Sequence, residues 1–314
     1  MGRVIVCIVM LLSVALPASA RAGDLTIMFG RAQLTTALGK GCTTPPGAID
    51  LWTAANELKA RGLTATAPVT NSQIGTSTRI CEAGSRYMTW ADLDVLRDSY
   101  GWSITPRGLT SDPLSTVTDP AVLTANVCGS RDVIESHGHM RAWGLFAWPK
   151  NRWTAAEEAT FVPPCFAFGR RYVLETKSNP LPITGPYWWA NVISVNGGPC
   201  LNPALPCHSL AVQFSRGYMQ PSALAATAQK AYGAFWTAIQ WYRFVSGKYG
   251  TLGTGYAWDC TSPDPAGHWT GKAELYCYND FLATLNGIDM TRLTVTDPAG
   301  VADQQGLAPA QPVH

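Results

Sequence analysis

Short apolar segments alternate with capped helical segments along most of this chain, and this alternation limits the folds that it can form. Leu25 to Phe29 predicts a first strand, residues 48–61 predict a helix that ends at Gly62, and residues 64–69 predict a second strand. Repeated strand–helix units of this kind favour a parallel sheet covered by helices. The pattern alone leaves open a barrel or an open, doubly wound sheet.

Capping residues mark the starts of three further helices. Thr89 and Thr154 each precede an acidic residue by three positions, at Asp92 and Glu157, which is the spacing of a capping box. Asp119 precedes a proline that suits the first position of a helix reaching His137. Later helices are predicted at 222–232 and 273–285, and strands at 102–105, 143–148, 166–168, within 234–245 and at 292–295.

Segments rich in Pro, Gly and Asn interrupt this pattern. Residues 175–215 and 247–271 predict two long loops, and residues 297–314, rich in Ala, Pro and Gln, predict a disordered tail. Residues 1–20 have the charged start, short apolar core and Ala-Ser-Ala cleavage site of a secretory signal. We therefore expect one secreted or extracytoplasmic domain at 21–296, with no membrane span because no later apolar run is long enough.

Cysteine usage agrees with export. Of nine cysteines, Cys7 lies in the signal, and an even number in the remaining secreted chain indicates disulfides rather than a metal site, since no C-x-x-C pair occurs. Pairing in sequence order closes short loops within successive units. It predicts Cys42–Cys81, Cys128–Cys165, Cys200–Cys207 and Cys260–Cys277.

The composition argues against a charged macromolecular partner. The formal net charge is +2 and only 14% of residues are charged, against about 25% in an average soluble protein. Nucleic acid is therefore not expected as a partner. The twelve Trp and eleven Tyr suit the stacking of sugar rings, although any single Trp is more often part of the core.

Several motifs, in their order and spacing, resemble the NodB-type polysaccharide deacetylases of carbohydrate esterase family 4. They are Leu25-Thr26-Ile27-Met28-Phe29-Gly30, where the family has Leu-Thr-Phe-Asp-Asp-Gly, then Tyr87-Met88-Thr89-Trp90-Ala91-Asp92-Leu93, Gly101-Trp102-Ser103-Ile104, Phe146-Ala147-Trp148-Pro149 and Arg171. The resemblance covers about Leu25 to Leu285. It implies an α/β fold, an irregular (β/α)7 barrel with long disulfide-stapled loops.

The residues that carry the family's chemistry are replaced in this chain. The resemblance implies a divalent metal held by one Asp and two His, with a second Asp as base. Met28 and Phe29 stand where the two Asp are expected, and Arg107 and Ser111 where the two His are expected. Hard cations need carboxylate or imidazole ligands, and an arginine at the metal position repels them. We predict no catalytic residue, no metal and no cofactor.

Other arrangements of reactive residues favour ordinary structural roles. His137 and His139 are two imidazoles without a third ligand, which is more typical of a polar helix end than of a zinc site. Glu157 and Glu158 are adjacent on a helix and predict a solvated face. Three late carboxylates in the loops are the candidates for a glycosidase-like pair: Asp259, Asp264 and Glu274.

Loops after the strands of a barrel form its binding site, and in this chain they are rich in Trp, Tyr and Arg. The aromatic residues at 187–189 predict either a stacking platform or a lid folded onto the core, and arginines can hold the carboxylate of an acidic sugar. The predicted ligand-binding residues are Arg107, Trp148, Trp153, Arg171, Tyr187, Trp188, Trp189 and Tyr242.

Three functions remain open at this point. The first is a secreted, catalytically degenerate deacetylase-like protein that binds carbohydrate or cell-envelope glycan. The second is an active hydrolase or deacetylase acting on carbohydrate through a rebuilt site. The third is a structural extracellular interaction domain whose groove is filled.

Overall fold

A computed structural model describes eleven parts of the chain. They are residues 23–30, 47–76, 87–173, 179–180, 188–194, 220–229, 232, 235–250, 257–262, 269–270 and 275–307. The predicted signal at 1–20 and the predicted pairs Cys42–Cys81 and Cys200–Cys207 lie outside these residues.

The elements follow one another in the mixed β/α order that the sequence predicts. The strands are β1 Gly23–Phe29, β2 Ala48–Ile49, β3 Thr66–Val69, β4 Ser103–Pro106, β5 Leu145–Phe146, β6 Phe168–Val173, β7 Asn179–Pro180, β8 Trp188–Ser194, β9 Phe235–Trp241, β10 Arg243–Val245, β11 Lys248–Tyr249, β12 Ala257–Asp259, β13 Trp269–Thr270, β14 Leu275–Cys277 and β15 Leu293–Val295. The α-helices are α1 Leu51–Ala60, α2 Trp90–Tyr100, α3 Pro120–Ser136, α4 Ala155–Phe161, α5 Pro221–Gln229, α6 Tyr278–Asn286 and α7 Pro298–Gln305.

The main sheet is parallel apart from one short strand. Its order is β4-β3-β1-β9-β8-β6-β5, with β15 also paired to β1 and the two-residue β7 antiparallel to β9. Two smaller sheets, β14-β10-β2 and β11-β12-β13, contain the other strands. Because the long strands are parallel, their carboxyl ends lie along one edge.

A parallel sheet with packed helices confirms the α/β class, but a closed barrel is not shown. The end strands β4 and β5 share no ladder of paired residues in the described part of the chain. One backbone hydrogen bond joins them, from Ala147 N–H to the carbonyl of Pro106 at 3.0 Å. The two-residue length of β5 leaves little backbone for a longer ladder.

Helices α1, α2, α5 and α6 bury their apolar faces against one face of the sheet. Leu58, Leu93 and Leu285 belong to a single cluster with Phe29 and Trp102. The start of α2 is fixed by the predicted capping box of Thr89 and Asp92, and Gly101 ends it at φ 69°. A left-handed conformation of this kind favours glycine.

The tail that was predicted to be disordered contains α7. Asp297 caps this helix by accepting a hydrogen bond from Gly300 N–H, and Gly306 ends it. Val301 and Ala302 are fully buried beside Leu145, Phe168 and Trp236, which lie at or near the amino ends of their strands. Over Pro298–Gln305 the prediction was wrong because this packing depends on distant strands, while the Ala/Gln composition gives only a weak helical pattern.

Two of the predicted disulfides are present. Cys128–Cys165 joins α3 to the segment before β6, and Cys260–Cys277 joins the two smaller sheets, with Cα–Cα distances of 5.4 and 5.5 Å. These distances lie within the usual range for a disulfide. In the described residues, no helix has both the length and the apolar character needed to cross a bilayer.

Candidate functional site

The carboxyl ends of β1 and β9 bring together the first side chains of the candidate site. Met28 pairs with Gln240 in the parallel register, so both side chains lie on the same face, and both are fully buried. A Cβ atom at Gly30 would overlap the side chains of Gln240 and Tyr242. Glycine is therefore required where the chain leaves β1, because these two side chains fill the space beside it.

Arg170 connects this pair to the next loop. Its side chain is fully buried; Nη1 donates to Gln240 Oε1 at 3.3 Å, and Nη2 donates to the carbonyl of Trp148 at 3.1 Å. The guanidinium thus joins β6, β9 and the turn after β5 through neutral oxygen acceptors.

The loop after β4 contacts the turn after β5. Arg107 N–H donates to the carbonyl of Val69 at 2.6 Å, and the Arg107 side chain is almost buried. Gly108 has φ 85°, and a Cβ atom there would lie 3.0 Å from Pro149 Cγ. We call the residues that these contacts bring to the strand ends the strand-end cluster: Met28, Gly30, Arg107, Trp148, Arg170, Gln240 and Tyr242.

A buried acid, Glu158, lies beside Trp148, although the sequence predicts that its side chain is solvated. Glu158 of α4 has no exposed surface and accepts a hydrogen bond from Trp148 Nε1–H. Its second oxygen, Oε1, has no hydrogen-bond partner in the described part of the chain and lies against Gly169, where a Cβ atom would overlap it. Burial raises the pKa of the Glu158 carboxyl to about 8, and the Trp148 hydrogen bond opposes that shift only in part.

Glu158 corrects the prediction of a solvated Glu157–Glu158 face. Glu157 is on the helix surface and completes the capping box by accepting from Thr154 N–H at 2.6 Å. Adjacent residues on a helix project about 100° apart. One glutamate can therefore cap the helix while the next is buried against β6.

The predicted aromatic residues of the site divide between the core and other positions. Trp148 is fully buried and packs edge-on against Phe146, with ring centroids 5.0 Å apart. Trp153 is half-buried against the cluster around Cys128 and Cys165. Tyr242 is 8% exposed at the strand ends. In this arrangement the Trp148 indole supports the cluster and has no free face for stacking.

Trp188 and Trp189 were predicted to lie in a loop after a strand. They are instead the first two residues of β8. Trp188 pairs with Phe168, the first residue of β6, whereas Ser194 at the other end of β8 pairs with Gln240. Trp188 and Ser194 are six positions apart along β8, which corresponds to a distance of roughly 20 Å. The neighbouring Tyr187 lies outside the described residues.

The arginine of β6 that reaches the strand-end cluster is Arg170, whereas the sequence predicts Arg171 in this role. The two pair with successive residues of β8, Ala190 and Asn191. Successive residues of a strand face opposite sides of the sheet, so they cannot both reach Gln240. The signal that could have identified Arg170 is the alternation of Phe168, Arg170 and Tyr172 once the strand is known to extend to Val173.

Phe29 lies on the opposite face from Met28. Its ring stacks on Trp102 at 5.0 Å and meets Phe244 and Phe281 edge-on in the core under the helices. Neither Phe29 nor the thioether of Met28 is a ligand for a hard divalent cation, so the metal that the family resemblance implies does not fit these positions. Among the described residues, no group of three or more His, Cys, Asp or Glu side chains is placed to hold a metal ion.

A second set of buried ionisable groups lies at the end of α3, away from the strand-end cluster. His139 is 3% exposed, and burial, with Arg97 nearby, lowers the pKa of its imidazole to about 4. Burial raises the pKa of the Glu135 carboxyl to about 7, although Arg131 Nε lies 3.5 Å from it. His137 is exposed and stacks on Trp90 at 3.6 Å.

No family model matches this sequence, and no curated protein matches it either. The chain is similar to a solved structure from Mycobacterium smegmatis described as a polysaccharide deacetylase, at 11% identity, 96% coverage of each chain and a TM-score of 0.48. It is also similar to the Xyl-CE4 domain of a multidomain xylanase from the hindgut metagenome of Trinervitermes trinervoides, at 7% identity, 92% and 94% coverage, and a TM-score of 0.44. For IcaB from Ammonifex degensii the identity is 12%, the coverage 48% of this chain and 84% of that one, and the TM-score 0.35.

The fold and the cluster define an α/β protein with a parallel sheet whose strand ends hold arginine, glutamine and aromatic side chains. The similarities to solved structures have TM-scores below 0.5 and do not decide its function. The chemistry of the strand-end cluster must therefore support any functional conclusion.

Proposed function

We propose that this protein is an extracytoplasmic, catalytically degenerate relative of the NodB-type deacetylases that binds carbohydrate or cell-envelope glycan at its strand-end cluster. The observation that carries the proposal is the guanidinium of Arg170, fixed between Gln240 and Trp148 at the position where the motif resemblance places the deacetylase chemistry. A cation fixed there can attract the carboxylate of an acidic sugar at the strand ends, and it is neither a base nor a metal ligand.

The electrostatics of the cluster support an anionic ligand. Arg170 uses neutral oxygens in both of its named hydrogen bonds, and Arg107 adds a second guanidinium at the end of β4. Glu158, the acid beneath them, is neutral at pH 7 because its pKa is about 8. Burial strengthens the attraction between such cations and a carboxylate.

The remaining features of the proposal concern the fold and the location. We propose that the sheet closes into an irregular barrel between β4 and β5, supported by the Ala147–Pro106 hydrogen bond. The disulfides Cys128–Cys165 and Cys260–Cys277 support an oxidising, extracytoplasmic location.

A glycan array with the mature protein tests the binding function. We expect acidic oligosaccharides, represented by oligogalacturonate, to bind better than neutral chitohexaose, with an affinity that falls as salt rises. Arg107→Gln should weaken oligogalacturonate binding by about tenfold. The matched control is Arg61→Gln, which removes an exposed arginine that pairs with Glu57 on α1.

Two results would contradict the proposal. Equal weakening by Arg107→Gln and Arg61→Gln would show only a general charge effect. One equivalent of zinc, cobalt or nickel remaining after dialysis, and lost on substitution near Arg107, would show a metal site and overturn the degenerate reading.

One observation favours a second function, a structural interaction domain with a filled interior. Trp148, Arg170 and Gln240 have no exposed surface. If they only fill the sheet's interior, replacing Arg170 and Gln240 together by Met should preserve or raise the free energy of unfolding, because apolar residues often replace a buried ionic group and its partner without loss. An array without any bound glycan, together with that result, would favour the structural function.

A further inference from the structure

A continuous series of hydrogen bonds begins at Glu158 and reaches the strand-end cluster. Its Oε2 accepts from Trp148 Nε1–H, and the Trp148 carbonyl accepts from Arg170 Nη2. Arg170 Nη1 then donates to Gln240 Oε1 at 3.3 Å. Each of these four residues is fully buried, so their positions depend on one another rather than on solvent.

Burial and one unpartnered oxygen disfavour the ionised form of Glu158. Among the described residues, Oε1 has no hydrogen-bond partner and lies against Gly169, while Oε2 accepts from Trp148 Nε1–H. An ionised oxygen in such a place would be strongly destabilised. The pKa of about 8 agrees with this geometry.

The charged side chains of the neighbouring elements have named contacts of their own. On α4 itself, Glu157 accepts from Thr154 N–H, and on β6 Arg170 donates to Gln240 and Trp148. On α3, Arg131 pairs with Asp132 at 3.0 Å and approaches Glu135 at 3.5 Å. Lys150, in the turn after β5, is exposed.

We propose that Glu158 is a positioning residue: it accepts from the Trp148 indole and, through the Trp148 carbonyl, sets Arg170 against Gln240, and when its proton is lost the unpartnered Oε1 must gain water, which opens its packing against Gly169 and loosens the cluster. This makes the cationic end of the sheet sensitive to mildly alkaline pH. Only the expected effect on ligand binding rests on the proposed function, in which the strand-end cluster binds an acidic glycan.

The indole N–H resonance of Trp148 tests the contact directly in protein containing isotope-labelled tryptophan. Trp148→Phe identifies the resonance by its disappearance. Between about pH 6 and pH 9.5 we expect it to move with a midpoint near the pKa of about 8. Glu158→Gln should abolish this titration, whereas the control Glu157→Gln, which preserves the capping box, should leave it unchanged.

A resonance that does not titrate in the native protein, or one that still titrates in Glu158→Gln, would overturn the proposal. The native measurement decides this even if the variant does not fold. A Trp148 resonance that titrates in the native protein and in Glu157→Gln but not in Glu158→Gln would support the proposal.

Ligand binding separates this proposal from the proposed function. We expect the affinity for oligogalacturonate to fall by about tenfold between about pH 6.5 and pH 9 in the native protein and to stay constant in Glu158→Gln. Binding that is independent of pH in the native protein would overturn the positioning role. A titrating Trp148 resonance without any oligogalacturonate binding would support the contact and reject the proposed function.

Discussion

His139 should make the folded protein sensitive to acid, although an aspartate lies beside it. Its Nε2 is 3.4 Å from Asp94 Oδ1, which favours the charged imidazolium. Neither ring nitrogen has a hydrogen bond to any described residue, and only 3% of the residue is exposed. Desolvation and the positive charge of Arg97 outweigh Asp94, whose side chain is 43% exposed, and the pKa of His139 falls to about 4.

The sign and size of the effect follow from linkage. The pKa is 6.5 for an ordinary histidine and about 4 in the folded protein. Between these values the unfolded chain binds more protons than the folded one, so the free energy of unfolding decreases as the pH falls. Above about pH 6.5, the neutral His139 contributes up to about 3 kcal/mol to the free energy of unfolding. This contribution is lost as the pH falls to about 4.

Urea unfolding of the native protein and of His139→Gln at several values from about pH 7.5 to pH 4 measures this contribution. We expect the native protein to lose up to about 3 kcal/mol relative to the variant over this range. Other titrating groups, including Glu135, are present in both proteins and cancel in the difference. The matched control is His137→Gln, at the exposed neighbour that stacks on Trp90. This variant retains His139, so it should lose stability in parallel with the native protein.

A difference between native protein and His139→Gln that does not change with pH would refute the reasoning. A difference that changes in the opposite direction would show that the Asp94 ion pair dominates and that the pKa of His139 is raised. A difference between native protein and His137→Gln that follows the same trend would assign the effect to the general charge of this region.

Three further predictions concern the elements around the strand-end cluster. Glu158→Gln should gain stability relative to the native protein as the pH rises from about 4.5 towards the folded pKa of about 8, reaching about 3 kcal/mol at pH 7 in urea unfolding; a constant difference would contradict the assigned pKa. Replacing Cys128 and Cys165 together by Ser, at a sequence separation of 37, should cost about 4 kcal/mol and lower the melting temperature, and an unchanged melting temperature would show that the bond contributes little. Gly169→Ala should cost about 1–3 kcal/mol because the added methyl group meets Glu158, whereas the control Gly129→Ala, in a helix with its nearest neighbour 3.9 Å away, should gain up to about 1 kcal/mol.

Features that depend on a few neighbouring residues could be predicted from the sequence. The capping box of Thr89 and Asp92 and the stop at Gly101 gave the bounds of α2 to within a residue. Such caps act through hydrogen bonds within one turn of the helix, so the local sequence contains what is needed. The alternation of strands and helices gave the α/β class for the same reason.

Features that depend on strand register could not be predicted. The strand β8 lies between segments rich in Pro and Gly, and the sequence analysis placed its first two residues, Trp188 and Trp189, in a loop. Its pairing with β6 and β9 puts Trp188 at the amino end of the sheet. Register is set by contacts between segments far apart in the chain, and a short pattern does not contain them.

The same dependence on distant contacts separates Glu158 from Glu157. Both follow Thr154 in α4, and only the capping box was visible in the sequence. The burial of Glu158 arises because β6 presents Gly169 to it, and a larger residue there would exclude the carboxyl group. A glycine in a strand often marks a close approach of this kind.

The two residues that stand where the motif resemblance implies aspartates differ in their surroundings. Met28 lies on the face of Gln240 and Tyr242, where polar groups are present and a carboxylate would find donors. Phe29 lies on the opposite face, inside an aromatic cluster with Trp102 and Phe281. A carboxylate in that apolar core would be an unpaired buried charge, and removal of the ring would leave a cavity. The helix-side core packs around Phe29, so Met28→Asp alone would place one acid at the end of β1 but not a pair.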